Sequence, residues 1–315
     1  MIGSELDAAG VRDPALRAAY RHCRRLNARY GRTFFLATRL LAPDQRPAVH
    51  ALYGFARQAD DILDDFDPGL STTERARRLQ CLAARLADRL RHGHRTDDDP
   101  ALTAVVHTAR AYAIPWQLFD AFLASMRMDL TVTDYPDRDA LDRYVHGSAE
   151  VIGLQLLPVL GTVAPREEAA PYAAALGKAF QLTNFLRDID EDLQRGRIYL
   201  PADELAAHDV DRDVLMWCHT HRRTDPRVRA ALVEQHAVTR KIYDYARGGI
   251  AMLQPRSRPC VAVASTLYSE ILDRIEDIDF AVFSQRATVG TGRRLQVAGA
   301  GLLRAWAARL RRGKG

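Results

Sequence analysis

The chain has 315 residues, with 45 Lys and Arg against 40 Asp and Glu, for a formal charge of +5. That length suits one large domain or two ordinary ones, and the mild basic excess fits an anionic small molecule, a membrane surface or nucleic acid without choosing among them. The four cysteines, Cys23, Cys81, Cys218 and Cys260, lie far apart without C-x-x-C spacing, which excludes a disulfide framework or zinc knuckle as the organising element.

Asp13-Pro14 to Tyr30 reads as a first helix, with Asp as cap and Pro at the first helical position, stopped by Gly31. In Arg32-Thr-Phe-Phe-Leu-Ala-Thr-Arg-Leu-Leu41, the Thr33 hydroxyl and the Arg32 and Arg39 charges either approach an anion or form an ordinary solvated face. After Pro43-Asp44 a helix runs to about Phe66, ended by Asp67-Pro-Gly69. On it Tyr53, Arg57, Asp60 and Asp64 follow an i, i+4, i+7, i+11 rhythm against Leu52, Phe55, Ala59, Ile62 and Leu63.

Ser71-Thr-Thr-Glu74 is a capping box that opens a helix to about Arg91, and His92 to Asp99 reads as a surface loop. Helices from Pro100 to Ala113 and from Pro115 to about Thr131 follow, the second closed by Asp129. The next, from about Asp139 to Gly161, contains Tyr144 and the small residues Gly147, Ser148, Ala149 and Gly153. They admit either a neighbouring helix or a long apolar ligand.

From Pro165 to near Gly196 a further helix carries Gln181, Asn184, Asp188 and Asp192 at i, i+3, i+7 and i+11, while Leu182, Phe185, Leu186, Ile189 and Leu193 cover its other sides. Like charges one turn apart cost about 0.2–0.5 kcal/mol, so the stripe calls for something positive over it. Arg195, Arg197 and Tyr199 follow at once. His219 and His221 sit on a polar stretch and read as surface residues. Pro226 to Leu253 and Pro259 to Ser284 read as two long helices, with Tyr268 at an inward position of the second.

No segment alternates at strand spacing, so the expected fold is all-α, a single-domain helical bundle around a central cavity. It should span residues 14–290, followed by a basic amphipathic tail over 291–315. In that tail Leu302, Leu303, Trp306 and Leu310 fall near one helical face, and Arg304, Arg309, Arg311 and Arg312 can meet water or lipid headgroups. The N-terminus, with Glu5 and Asp7, does not read as a signal peptide, and no apolar run reaches membrane-spanning length. A cytoplasmic protein is expected, with peripheral contact at the inner membrane face as the alternative to a tail packed on the body.

Two helices thus each offer two carboxylates one turn apart. Mg2+ uses one or two carboxylates together with water and phosphate oxygens, so two such helices facing one another would hold a diphosphate through metal ions. Either stripe alone would pass as a solvated face. Their repetition, with arginine and amide companions, points to a site.

At these stretches the sequence resembles the squalene/phytoene synthase family, which couples prenyl diphosphates head-to-head, and is most like its bacterial phytoene-forming members. The likeness runs from about Tyr20 to Arg286. It is carried by Thr33-Phe-Phe-Leu-Ala-Thr-Arg39, Ala59-Asp-Asp-Ile-Leu-Asp-Asp65, Gly147-Ser-Ala-Glu-Val-Ile-Gly153 and Gln181 through Pro201. The resemblance implies an isoprenoid synthase-like fold and Mg2+, or Mn2+ in its place, on Asp60, Asp64, Asp188 and Asp192. It also implies that Arg57, Gln181, Asn184 and Arg187 hold diphosphate or metal-bound water, and that Tyr144 and Tyr268 stand near the reacting carbons. Arg32, Thr33, Arg197 and Tyr199 are further candidates for substrate binding, and Arg57 joins the two tyrosines as a catalytic candidate.

The implied reaction condenses two geranylgeranyl diphosphates through a cyclopropyl diphosphate to phytoene, in carotenoid biosynthesis. The alternative is a presqualene, dehydrosqualene or squalene synthase acting on farnesyl diphosphate. No G-x-G-x-x-G follows a strand, so no nicotinamide cofactor is expected. A non-catalytic helical assembly factor would dispense with the acidic pairs, and a nucleic-acid binder lacks a supporting motif. The chain departs from the family pattern at Asp190, commonly Gly, and at Glu150, commonly a small residue.

Overall fold

The computed structural model describes residues 2–63, 70–93 and 99–310, with side chains to Leu302. Helix α1 (Ile2–Ala8) precedes α2 (Pro14–Tyr30), where the Leu16 N–H donates to the Asp13 carboxylate and Pro14 takes the first position. The chain continues through α3 (Arg32–Thr38), α4 (Arg46–Leu63) and α5 (Thr72–His92), the last capped by Ser71. After α6 (Pro100–Ala111) and α7 (Trp116–Met128), α8 (Arg138–Val145) and α9 (Val151–Leu160) run on through a π-helical turn at His146–Glu150.

Helix α10 (Arg166–Gln194) spans 29 residues and is followed by α11 (Ala202–Ala206) and α12 (Arg212–His221), two short helices the periodicity did not foretell. Then come α13 (Pro226–Arg247), α14 (Arg258–Asp277) and α15 (Thr291–Leu310). Among the described residues there is no strand, only isolated bridges pairing Asp134 with Ile198 and Thr162 with Leu253.

Two expected helices end early for local reasons. The helix from Pro226 gives way to a 3-10 turn at Gly248–Met252, where a β-carbon on Gly249 would lie 2.2 Å from Tyr172 Cβ. The helix from Pro259 stops at Asp277 because Asp279 and Phe280 take left-handed backbone, with φ of 50° and 59°.

Helix α10 packs against α9, α13 and α14, and its Leu186, Ile189 and Leu193 join Leu232, Leu267 and Leu272 in one apolar cluster. A second cluster lies among α4, α5, α6 and α7, with Phe55, Leu79, Leu102 and Phe119 at its centre. Each such side chain, fully buried, contributes about 1.5–3 kcal/mol. Helix α9 joins the two halves: Val151 and Val159 face the second cluster, Leu157 and Leu160 the first. The acidic helices α4 and α10 therefore belong to different halves of the bundle.

The small residues around Gly147 have a clear occupant, the neighbouring helices. A β-carbon on Gly147 would lie 2.2 Å from the Ala121 carbonyl oxygen of α7, and one on Gly153 2.2 Å from that of Ala173. Gly177 of α10 reciprocates against the Ala149 carbonyl oxygen at 2.3 Å. Backbone meets backbone along this crossing, leaving no space there for an apolar chain.

Helix α15 starts by docking on the body. It packs on α14 and α3, with Ala298 buried and Gly301 so close that a β-carbon would lie 2.6 Å from Val263 Cγ2. Arg293 pairs with Glu270 at 2.6 Å, while Leu295 and Leu302 face outward.

Candidate functional site

The two acidic faces approach one another across aromatic rings. Tyr53 of α4 lies close enough to Arg57, Asp60 and Tyr268 of α14 to feel their charges, and Tyr268 in turn feels Arg187 and Asp188 of α10. Phe34 of α3 stacks on Tyr268 at 5.0 Å, and Phe180 of α10 lies 4.5 Å from the same ring. Burial pushes the Tyr268 phenol above its ordinary range, so it stays protonated.

On α4, Arg57 pairs with Asp61 and lies over the Tyr30 ring at 4.5 Å, which aims its guanidinium along the helix. Asp60 is half-buried; Asp64, its expected companion, lies outside the described residues. At the start of α3, Arg32 is exposed and Thr33 half-buried.

On α10, the Asn184 amide donates to Gln181 Oε1 at 3.5 Å, and Asn184 Oδ1 is buried without a hydrogen-bond partner. Asp188 is gripped by Arg187, whose Nε donates at 2.7 Å, and by Arg286, 2.7 Å away from the loop after α14. Arg286 also pairs with Glu191 at 2.5 Å. Burial opposes the charge of Arg187, but its bond to Asp188 prevails and raises its pKa. Asp192 shows the opposite balance: burial, then the neighbouring Asp188 charge, push it up to about 7 despite Arg195 and Arg197.

Tyr144 and Tyr199 lie apart from Tyr268, in a second cluster next to Asp192. It is built on Asp129, a residue that sequence reasoning took only as a helix stop. The Tyr144 hydroxyl donates to Asp129 Oδ2 at 2.9 Å, the Tyr199 hydroxyl to Oδ1 at 3.4 Å, and Arg197 Nη2 to the Asp129 carbonyl at 2.8 Å. Tyr199 stacks on Phe185 at 4.2 Å, and Tyr135 packs on both tyrosines, its own hydroxyl buried without a partner. Burial, reinforced by Asp129, raises the pKa of Tyr135, Tyr144 and Tyr199, so all three stay protonated, and Tyr144 and Tyr199 donate to Asp129.

His219 is not the surface residue expected from its polar surroundings. Its Nδ1–H donates to buried Asp190 at 2.7 Å, and Arg222 reaches the other oxygen of Asp190 at 2.5 Å. Glu150, the other departure from the family pattern, accepts from His146 at 2.9 Å. Arg286 and Asp129 are thus residues that only the tertiary arrangement brings to notice.

Among the described residues no three His, Cys, Asp or Glu side chains stand together as a ready-made metal cage. Mg2+ does not require one, since amide, water and phosphate oxygens complete its octahedron. Two surface clefts, of about 480 Å3 beside Arg89 and His107 and about 220 Å3 beside Arg77 and Cys81, lie away from the acidic faces. Among the described residues no helix is long and apolar enough to cross a membrane.

Comparison with known proteins gives the family of the chain. The sequence model of squalene/phytoene synthase matches residues 27–293. The chain is 36% identical over 301 residues to the phytoene synthase of Arthrospira platensis, covering 90% of this chain and 93% of that protein. It is also 36% identical to the 15-cis-phytoene synthase of Synechococcus elongatus, covering 92% and 94%. Among solved structures, a dehydrosqualene synthase in complex with ligand superposes with a TM-score of 0.81 at 24% identity, covering 91% and 96%, a likeness of fold.

Proposed function

The chain belongs to the squalene/phytoene synthase family, and on that premise we propose that it condenses two geranylgeranyl diphosphates head-to-head, through a cyclopropyl diphosphate, to phytoene. The observation that carries the substrate choice is the 36% identity, over nine-tenths of the chain, to proteins named phytoene synthase. The geometry supplies the chemistry. Two diphosphates must leave allylic carbons, and the cations left behind must be kept from water.

Asp60, Asp64, Asp188 and Asp192 are assigned to Mg2+, with Mn2+ able to replace it, and Asn184 Oδ1 is a further oxygen donor. The described residues fit a cation: a buried amide oxygen lacks a partner, and burial with the neighbouring Asp188 charge raises Asp192 to about 7, a cost that a cation would relieve. Bound Mg2+ would neutralise charge developing on the departing diphosphate. Arg57, Arg187 and Arg197, with Gln181, Arg32, Thr33 and Tyr199, orient the diphosphates.

The first cation adds to the double bond of the second substrate against aromatic rings, those of Phe34, Phe180 and Tyr268 in one cluster and of Tyr144, Tyr199 and Phe185 in the other. The second ionisation and rearrangement take place against the same faces, whose π electrons favour passing positive charge. Asp129 fixes the Tyr144 and Tyr199 rings in place. The basic run of residues 304–312, with the outward Leu295 and Leu302, supports peripheral contact with an anionic bilayer, where so apolar a product must go.

Purified protein with Mg2+ and geranylgeranyl diphosphate should give phytoene without NADPH. Conversion of farnesyl diphosphate alone, with the longer substrate inert, would place the chain in the squalene-type branch instead.

A further inference from the structure

Asp188 and Asp192 point to one side of α10, and Asp190, two residues from each, lies about 200° around the helix from both. Its carboxylate is buried away from them and engages α12: His219 Nδ1–H donates to Oδ1 at 2.7 Å and Arg222 to Oδ2 at 2.5 Å. Arg222 holds this position at φ 53°, a left-handed helix end where glycine would be at ease. An arginine kept there at that cost is used through its side chain.

The other end of α12 is tied to the same site. Arg212 pairs with Asp134 at 2.5 Å and donates to the Gly196 carbonyl at 3.4 Å, at the turn that leads from α10 to Arg197 and Tyr199. One short helix therefore touches the back of the acidic face and the root of the loop beside it. Asp134 also pairs with Ile198 through a backbone bridge, which joins this loop to the segment following Asp129.

We propose that α12 is a brace, and that Asp190 is a positioning residue that locks the last two turns of α10 in rotation, through His219 and Arg222, so that Asp188 and Asp192 converge on a metal–diphosphate. The inference rests on the metal-site reading above and deepens it. Asp190 ligates nothing itself. The Arg222 guanidinium also offsets its charge, so that it adds little to the crowded carboxylates on the facing side. Neither a helix that merely packs nor a fourth ligand on α10 would behave in the same way under mutation.

The test measures binding of Mn2+ in the presence of inorganic pyrophosphate, with free Mn2+ followed by electron paramagnetic resonance. Asp190→Ala, His219→Ala and Arg222→Ala are compared with the parent at a temperature where circular dichroism shows each folded. Loss of an outer partner of a metal ligand typically weakens binding about 10- to 100-fold, and because Asp190 acts through the backbone, about tenfold is expected. The Asp190→Ala/Arg222→Ala double variant should lose little more than either single one. His219→Asn, which presents an amide N–H near the Nδ1 position, should recover most of the affinity.

Folded variants that bind Mn2+ like the parent would overturn the brace, even if they melt at lower temperature. Should Asp190→Ala fail to fold, Arg222→Ala decides, because that side chain is 55% exposed and its removal leaves the core intact. A parent that takes up no Mn2+ with pyrophosphate would defeat the metal reading itself, and the brace with it.

Discussion

Acidification should weaken this fold through buried imidazoles, His50 above all. His50 of α4 is 2% exposed, receives a hydrogen bond from the Asn27 amide at Nδ1 (2.9 Å) and lies against the Phe35 ring at 5.6 Å. Burial, then Arg24 and Arg46, push its pKa down to about 3. In the unfolded chain the same side chain titrates near about 6.5. Between these values the unfolded chain takes up a proton that the native protein refuses, so the stability contribution is whole above the higher value and is lost as pH falls toward the lower. Linkage puts the loss between pH 7 and pH 5 at about 2 kcal/mol.

Urea unfolding of the parent and of His50→Asn, whose side-chain oxygen can still accept from Asn27, at pH 7, 6 and 5 measures that slope. His107 and His236, both also lowered by burial, add to the slope of both proteins and cancel in the comparison. The parent should lose about 2 kcal/mol more than the variant over this range; equal slopes would refute the buried neutral imidazole. The functional link is position. A β-carbon on Gly31 would lie 2.6 Å from Asn27 Oδ1, so this polar pair sits directly beneath the start of the helix carrying Arg32 and Thr33.

Asp60→Asn and Asp188→Asn should each lower turnover by about 100-fold or more with helical content unchanged, because the carboxylates serve a cation rather than the core; near-parental activity in both would defeat that role. Asp129→Asn should lower turnover about 10- to 100-fold through misplaced Tyr144 and Tyr199, with the loss seen in single-turnover rates rather than in substrate binding. A chain ending at Leu302 should sediment less with anionic vesicles than the full chain, each lost arginine being worth about 1 kcal/mol at low salt, and equal sedimentation would remove the tail from membrane contact.

What could be read from the sequence was whatever a single helix expresses on its own surface. The stripes of Tyr53, Arg57 and Asp60 and of Gln181, Asn184, Asp188 and Asp192 are periodic, and the caps at Asp13 and Ser71 are local. The small residues at Gly147 and Gly153 announced a close approach but not its partner, which is helix backbone. Asp129 and Arg286 carried no such signal, since an aspartate after a helix and an arginine in a loop are ordinary until the fold brings Tyr144 and Asp188 to them. His219 was misread for the same reason: its polar neighbours on α12 face water while its own ring turns toward Asp190.

Charge distribution at the end of α10 shows why these long-range partners matter. Asp188, Asp190, Glu191 and Asp192 crowd five consecutive positions in the last turns of a helix, where the backbone dipole already disfavours negative charge. Each is handled differently. Asp190 is paired from behind with Arg222 and hydrogen-bonded to His219, and Glu191 is paired at the rim with Arg286. Asp188 shares Arg187 and Arg286, side chains that are themselves suited to meet a diphosphate. Asp192 is pushed up to about 7 by burial and then by the Asp188 charge, in spite of Arg195 and Arg197. Asp188 and Asp192 thus share the one face of the helix where an incoming cation would lower the energy of the whole group.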